Sequence, residues 1–193
     1  MTEIKGIIFD CFGVLLTDSM SAALEVYATG DQHKRDAVWD LVKAANVGMK
    51  SSHDVRQEAA NILGITPAEW VDAINNGEVR NIMLMDYIKS LRPVYKTALL
   101  SNISATGLDR RFSKNELDEL FDVVVPSGKY GIAKPDVEIY QLTSQLLGLE
   151  PSECIMIDDK EDFCAGAEAA GMSSILYQDF ENFSKDINQI LVG

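Results

Sequence analysis

Five short apolar runs recur along the chain, at 6–9, 98–100, 123–125, 154–157 and 174–177. Their apolar residues are continuous rather than alternating, as expected of strands buried on both faces of a parallel sheet. Helical patterns separate the later runs, such as the apolar spacing within 139–146 and the alanine-rich stretch 163–170. This alternation predicts an α/β fold with a doubly wound parallel sheet.

The interval between the first two runs, 10–97, is far longer than the dozen or so residues that a parallel crossover needs. Apolar stripes at helical spacing run through 37–45 and 55–63. A capping-box pattern with proline at the first helical position starts a further helix at Thr66, and Asn76-Gly77 ends it. The interval is therefore predicted to hold an inserted group of helices.

A last pattern in this interval places Val79, Met83, Tyr87 and Leu91 on one helix face and ends just before Pro93. We therefore predict two domains. An α/β core is formed by 1–16 and 91–193, and a small helical domain of 17–90 is inserted after the first strand.

Charge and composition limit the possible partners. The chain has 17 Lys+Arg against 30 Asp+Glu, a formal net charge of -13, which argues against nucleic acid or an anionic membrane as a partner. Hydrophobic residues make up 47% of the chain, enough for a buried core. The first residues fit neither a signal peptide nor a membrane span, and the three cysteines form no C-x-x-C pair. We expect a soluble, cytoplasmic protein, and the sequence does not indicate its oligomeric state.

Polar residues follow the predicted strands at the ends where ligands bind in open parallel sheets. Asp10 follows the first run, Ser101-Asn102 the second and Asp158-Asp159 the fourth, and Lys134 lies in a loop before a helix. A carboxylate can attack phosphorus, a lysine and a metal can neutralise phosphoryl oxygens, and a hydroxyl can donate to them. The acidic pair offers the hard oxygen ligands that suit Mg²⁺.

Each of these residues also has a simpler interpretation. Asp10 fits a turn or a helix N-cap, Ser101-Asn102 the start of a loop, and Lys134 a solvated side chain. Asp158-Asp159 fits the start of a helix, although two adjacent acids at a buried strand end repel each other unless a cation relieves them. The basic cluster His33-Lys34-Arg35, and Arg56 or Arg80, could contact a substrate anion, but a solvated helix face is the simpler interpretation.

Four segments in chain order resemble the four motifs of the haloacid dehalogenase (HAD) superfamily. They are Phe9-Asp10-Cys11-Phe12-Gly13-Val14-Leu15, Leu99-Leu100-Ser101-Asn102, Gly131-Ile132-Ala133-Lys134-Pro135-Asp136 and Ile157-Asp158-Asp159. The similarity spans nearly the whole core and includes the inserted helices, which resemble that family's α-helical cap. The resemblance implies a hydrolase with a Rossmann-like core and a small helical cap domain.

The resemblance also implies a role for each motif residue. Asp10 would be the nucleophile, forming an aspartyl intermediate, and also a metal ligand. Ser101 and Lys134 would hold the transferred group, with Asn102 beside them. Asp159 would bind Mg²⁺ directly, with Asp158 in direct or water-mediated support.

The residue two positions after the nucleophile departs from the phosphatase pattern. Phosphatases of the family have an Asp there that protonates the leaving group and binds the metal through its carbonyl. Phe12 keeps the carbonyl but has no proton to give, and losing a general acid typically costs about 10²- to 10⁴-fold in rate. Asp18 or a histidine of the cap could replace it. A second departure is Phe163, where related chains often have Asn.

Three hypotheses follow. The leading one is a Mg²⁺-dependent phosphatase that acts on a small phosphorylated metabolite. The second is a 2-haloacid dehalogenase, because those family members also lack the Asp at the position of Phe12. They lack the metal-binding acidic pair too, however, whereas this chain has it as Asp158-Asp159. The third is a HAD fold with impaired catalysis that serves as a binding or regulatory protein. No motif in the inserted helices names the substrate.

Overall fold

A computed structural model describes residues 3–192 and contains one five-stranded sheet in the order β3-β2-β1-β4-β5. All neighbouring strands run parallel. The strands are β1 (Gly6–Phe9), β2 (Lys96–Ser101), β3 (Val123–Pro126), β4 (Cys154–Asp158) and β5 (Ser173–Leu176). Each predicted run is a strand, with ends within two residues of the prediction, so the predicted α/β fold class is confirmed.

Helices surround the sheet and fill the long interval after β1. They are α1 (Ser19–Tyr27), α2 (Gln32–Asn46), α3 (Ser52–Leu63), α4 (Pro67–Gly77), α5 (Ile82–Leu91), α6 (Lys114–Leu120), α7 (Ser127–Tyr130), α8 (Val137–Leu147), α9 (Glu161–Ala169) and α10 (Phe180–Val192). The predicted capping box at the start of α4 is present, with Thr66 and Glu69 bonding reciprocally. Within 3–192, no helix combines the length and the apolarity needed to cross a bilayer.

Both faces of the sheet are buried, which explains the continuous apolar runs. Along β1, Ile7 and Phe9 belong to one hydrophobic cluster, and Ile8 lies in a second cluster on the opposite face. All three are fully buried, and burial of such a side chain stabilises a fold by about 1.5–3 kcal/mol. The paired burial fixes β1 at the centre of the sheet.

Helices α1–α4, which we call the helical insert, have a hydrophobic cluster of their own that includes Val38, Ala59 and Trp70. The chain enters and leaves the helical insert through adjacent segments. The N–H of Thr17 donates to the carbonyl of Val79 at 3.0 Å, and the N–H of Asn81 donates to that of Leu15 at 2.9 Å. The helical insert thus has a hydrophobic cluster of its own, and the chain enters and leaves it at one place.

The pattern predicted for α5 is right for Leu91, which is buried, and for Tyr87, which packs against the hydrophobic cluster of the sheet, but wrong for its first two residues. Val79 precedes the helix and is 62% exposed, and Met83 is 63% exposed. The buried face carries Leu84 and Ile88, which belong to the hydrophobic cluster of the sheet. The domain boundary at residue 90 stays a prediction, and the packing of α5 favours one nearer residue 80.

Candidate active site

Three carboxylates meet at the carboxyl ends of β1 and β4. The two strands are neighbours, with Phe9 opposite Ile157, so the residues that follow them lie side by side. One oxygen each from Asp10, Asp158 and Asp159 lies within 4.8 Å of the others. Asp10 and Asp158 are buried. The structure therefore brings together three of the carboxylates that the sequence singled out.

Lys134 lies against two of these carboxylates. Its Nζ donates to Oδ1 of Asp10 at 2.7 Å and also to Oδ2 of Asp158. The backbone of Lys134 is held by Asn102, whose Nδ2 donates to the Lys134 carbonyl at 2.8 Å and whose Oδ1 accepts from the Lys134 N–H at 2.9 Å. Asn102 thus positions the loop that delivers the ammonium group.

The charges of the site are out of balance, because three carboxylates cluster there and the one ammonium contacts only two of them. Burial raises the pKa of Asp10, and Asp158 raises it further while Lys134 opposes the change. Burial and Asp158 likewise raise the pKa of Asp159. For Lys134, burial lowers the pKa, but Asp10 and Asp158 raise it more. The ammonium therefore stays charged, and a further cation would stabilise the ionised acids.

Asp159 offers a buried oxygen without a partner. Its Oδ1 makes no hydrogen bond within the described part of the chain, and an unpaired buried acceptor costs about 1–3 kcal/mol. Together with Asp10 and Asp158, this oxygen forms a donor set of hard carboxylate ligands. Such a set fits Mg²⁺, which prefers oxygen ligands.

Gly13 makes room for Asp159. Its φ of +92° lies in the left-handed region that favours glycine, and a Cβ there would lie 2.3 Å from Cγ of Asp159. In the turn next to Gly13, the carbonyls of Cys11 and Leu16 accept the backbone hydrogen bonds, and the Phe12 carbonyl accepts none of these bonds. The glycine therefore fixes where the Asp159 carboxylate can lie.

Ser101 ends β2 and is fully buried. Its hydroxyl has no hydrogen-bond partner among residues 3–192. A buried hydroxyl normally bonds to a protein group or a water, so this group has a donor to offer. The contacts do not place it against Asp10 directly, and its predicted role stays a prediction.

Phe12 presents a ring where the phosphatase pattern has an acid. The ring lies in the wall of a cavity, and Cζ of Arg111 lies 4.7 Å from its centroid. Asp18 also lines this cavity but caps α1, accepting from the N–H of Ser21 at 3.1 Å and from its hydroxyl at 2.6 Å. His33 and His53 do not line the cavity. Asp18 is thus the stronger candidate for a replacement acid, although its oxygens are engaged.

The cavity, of about 840 Å³, lies between the core and the helical insert. Asp10 and Lys134 line it from the core, and Trp39 and Trp70 line it from the helical insert. Nζ of Lys160 lies 5.4 Å from the Trp39 ring centroid, so a cation–π contact joins the two parts. These contacts could not be predicted from the sequence, because no local pattern shows which helix face lies against the core.

Comparison with protein families finds a match to the haloacid dehalogenase-like hydrolases over residues 4–171. Among curated proteins, the D-ribitol-5-phosphate phosphatase of Bacteroides thetaiotaomicron is 25% identical over 81% of this chain and 83% of its own. Two other curated relatives are matched over a small share of their length. Phosphatase MT3486 of Mycobacterium tuberculosis is 42% identical over 31% of this chain and 28% of its own, and bifunctional epoxide hydrolase 2 of Sus scrofa is 26% identical over 61% of this chain and 22% of its own.

Solved structures share the fold over the whole chain. A predicted HAD-like hydrolase from Porphyromonas gingivalis is 28% identical, with a TM-score of 0.78 and full coverage of both chains. The HAD family enzyme bt-2542 from Bacteroides thetaiotaomicron, in complex with magnesium and inorganic phosphate, is 21% identical, with a TM-score of 0.73 over 93% of this chain and 98% of its own. The L-2-haloacid dehalogenase from Xanthobacter autotrophicus shares the fold as well; it is 21% identical, with a TM-score of 0.65 over 96% of this chain and 83% of its own.

Proposed function

The chain belongs to the haloacid dehalogenase-like hydrolases, and from this premise we propose that it is a Mg²⁺-dependent phosphatase acting on small phosphorylated metabolites. The observation that carries the proposal is the convergence of Asp10, Asp158 and Asp159 around the buried ammonium of Lys134. The similarity of this chain to a phosphatase, over most of the length of both proteins, supports the same reaction.

Asp10, Asp158 and Asp159 would hold the Mg²⁺, together with the carbonyl of Phe12. The bound ion would neutralise negative charge on the phosphoryl oxygens, as in other metal-assisted phosphoryl transfers. The unpaired Oδ1 of Asp159 and the three-to-one excess of carboxylates over ammonium support this assignment. The magnesium complex of a protein with the same fold is consistent with it.

The protein groups divide the chemistry between them. The Asp10 carboxylate attacks phosphorus, the bond from phosphorus to the leaving oxygen breaks, and an aspartyl phosphate forms. Lys134 neutralises the phosphoryl oxygens, and the Ser101 hydroxyl donates to one of them. Water then attacks phosphorus, releases inorganic phosphate and restores Asp10.

The leaving oxygen receives no proton from position 12. Phe12 has no acidic hydrogen, and the nearby Arg111 guanidinium remains charged in proteins. Turnover should therefore favour esters whose leaving group is stable as an anion, and alkyl phosphates should react slowly.

The helical insert acts in this proposal as a cap over the reacting groups. The cavity between it and the core encloses the substrate, and closure excludes water from the aspartyl intermediate. We propose that helices α1–α4 form the cap and that the remainder forms the core; the predicted cap of 17–90 is shortened to end near residue 80, because α5 packs with the hydrophobic cluster of the sheet.

Phosphate release from an activated aryl phosphate tests the proposal. The protein should turn over this ester in Mg²⁺ and lose activity both with a chelator and in Asp10→Asn. Asp54→Asn changes an exposed carboxylate at the start of α3 and serves as the control that retains activity. Metal-independent phosphate release, or equal activity of Asp10→Asn, would contradict the proposal.

Phe12 alone favours a 2-haloacid dehalogenase, since a halide leaves without a proton. That function predicts halide release from a short 2-haloacid in the presence of chelator, and silence in the assay would eliminate it. The buried acidic cluster has no use in such a reaction, which places it second.

Impaired catalysis, with a binding or regulatory role, is tested by Phe12→Asp. A variant that binds Mg²⁺ yet still releases no phosphate would favour this third function over the first.

A further inference from the structure

The cavity wall also carries Arg56, Arg110 and Arg111, which we call the arginine group. One carboxylate, that of Glu78, pairs with two of its three members. We propose that Arg56 and Arg110 form a second anion subsite, so that the substrate carries a carboxylate or a second phosphate besides the phosphoryl group that reacts. This inference rests on the proposed phosphatase function and names the class of substrate: an organic phosphate with two anionic ends joined by an apolar segment.

The residues that line the cavity are more basic than the protein as a whole. The chain as a whole has a net charge of -13. The cavity is lined by more basic than acidic side chains. The basic ones are Lys43, Arg56, Arg110, Arg111, Lys134 and Lys160, and the acidic ones are Asp10, Asp18 and Asp162. Asp10 and Asp158 offset the charge of Lys134, and Glu78 offsets part of the charge of Arg110 and Arg111. The positive charge that is least compensated is that of the arginines, where it would attract an anion.

Two of the basic residues share one carboxylate. Glu78 accepts from Nε of Arg111 at 2.9 Å and from Nη2 of Arg110 at 3.3 Å. Arg111 also donates to the carbonyl of Gly107 at 2.6 Å, so its donors are largely used within the protein. Arg56 has no carboxylate within ion-pair distance in the part of the chain that the structure describes. The single carboxylate of Glu78 therefore does not neutralise all three arginines, and a further anion could bind to them.

Arg110 retains capacity for an external anion. Its other contact is with a neutral group, the side-chain carbonyl of Asn75. Burial lowers the pKa of Arg110, and the nearby charges of Arg111 and Arg56 lower it further, although Glu78 opposes them. An added carboxylate or phosphate would relieve this repulsion and could accept two parallel N–H bonds from a guanidinium.

The cavity suits a molecule with an apolar middle. Its volume of about 840 Å³ lies within the range of pockets that enclose most of a ligand. Val55, Trp70 and Ile74 contribute apolar side chains to the wall. Arg56 comes from α3 of the helical insert and Arg110 from the core segment before α6, so the second anion would contact both parts.

Calorimetric binding with non-hydrolysable phosphonates tests the subsite. Three series of increasing chain length are titrated into the Mg²⁺-loaded protein: alkylphosphonates, carboxyalkylphosphonates and alkylene bisphosphonates. At one chain length or more, a second anion should tighten binding by about 10- to 100-fold over the alkylphosphonate of equal length. The series that shows the gain distinguishes a carboxylate from a second phosphate.

Variants identify the residues responsible. Arg56→Gln and Arg110→Gln should each remove most of this gain, and Arg110→Lys, which keeps the charge but not the forked geometry, should keep part of it. Lys43→Gln removes a positive charge from the same cavity outside the arginine group and should keep the gain. Melting temperatures of the variants show whether each is folded.

Two failures have different meanings. If alkylphosphonates bind but the second anion adds nothing, or its gain survives in Arg56→Gln and Arg110→Gln, the subsite is wrong and the phosphatase proposal stands. If none of the three series binds in a Mg²⁺-dependent manner, the phosphatase proposal fails, and the subsite inference fails with it.

Discussion

Gly13→Ala should separate the geometry of the metal site from the general stability of the fold. The substitution adds a Cβ at a φ of +92°, where an L side chain costs about 1–2 kcal/mol. It also places that carbon 2.3 Å from both Cγ and Oδ2 of Asp159. Since real contacts of a Cβ are about 1 Å longer or more, the Asp159 carboxylate must swing away from Asp10 and Asp158.

Gly171→Ala is the matched control. Its φ of +93° imposes the same backbone strain, but the nearest atom to its added Cβ is Cβ of Pro151 at 3.7 Å, an ordinary contact distance. Both variants should lose about 1–2 kcal/mol of unfolding free energy in chelator, as measured by urea denaturation.

Mg²⁺ affinity should distinguish the two variants. A displaced metal ligand should weaken Mg²⁺ binding by about 10- to 100-fold in Gly13→Ala, whereas Gly171→Ala should bind like the unmodified protein. Calorimetric titration measures both. Unchanged Mg²⁺ affinity in Gly13→Ala would refute the reasoning that this glycine positions Asp159 as a ligand.

Three further predictions follow from the site. Lys134→Met leaves two buried carboxylates without their ammonium and should cost about 3–5 kcal/mol of unfolding free energy in chelator. The control Lys185→Met, at an exposed ion pair, should cost less than about 1 kcal/mol. Equal losses would contradict the buried role of Lys134. Phe12→Asp should raise turnover of alkyl phosphates by about 10²-fold, and Phe12→Asn should give no such rise. The gain is near the lower end of the range for a general acid, because the neighbouring Arg111 favours the ionised form of the new carboxyl group. Mg²⁺ affinity should fall as pH decreases, beginning above the ordinary carboxyl pKa, because burial raises the pKa of Asp10 and of Asp159 and protons then compete with the metal; a flat profile from pH 8 to 5 would contradict this.

Much of the core was predictable because each local signal agreed with the tertiary structure. The continuous apolar runs reflect a sheet buried on both faces, with Ile7 and Ile8 in opposite clusters. Asp10 and Asp158-Asp159 could be placed together because neighbouring parallel strands end at the same edge. The expected roles of these residues in catalysis remain predictions.

Some elements were missed although the chain carries their signals. Helix α6 starts with a capping box of Ser113 and Glu116, the same signal that identified α4. Helix α10 has Phe183 and Ile187 at helical spacing, and both are buried. The wrong placement of Met83 on the buried face of α5 had another cause. Met83 is as apolar as its neighbours, and only packing against the sheet decides which of these residues are buried.

The arginine group illustrates what sequence patterns cannot reach. Arg56 fits a solvated helix face when considered alone, and its side chain is exposed. Its position in the cavity wall depends on how the helical insert lies on the core, and Arg110 comes from a segment more than 50 residues further along the chain. Long-range packing of this kind has no local periodicity to reveal it.

The central claim is that Asp10 carries the phosphoryl group during turnover. A rapid acid quench of the Mg²⁺-loaded protein with an activated aryl phosphate, followed by mass spectrometry of the peptide that contains Asp10, tests it most directly. We expect one added phosphoryl group on Asp10, lost with chelator and absent from Asp10→Asn. Phosphate release with no phosphorylated Asp10 peptide, or with the phosphoryl group on another residue, would contradict the account.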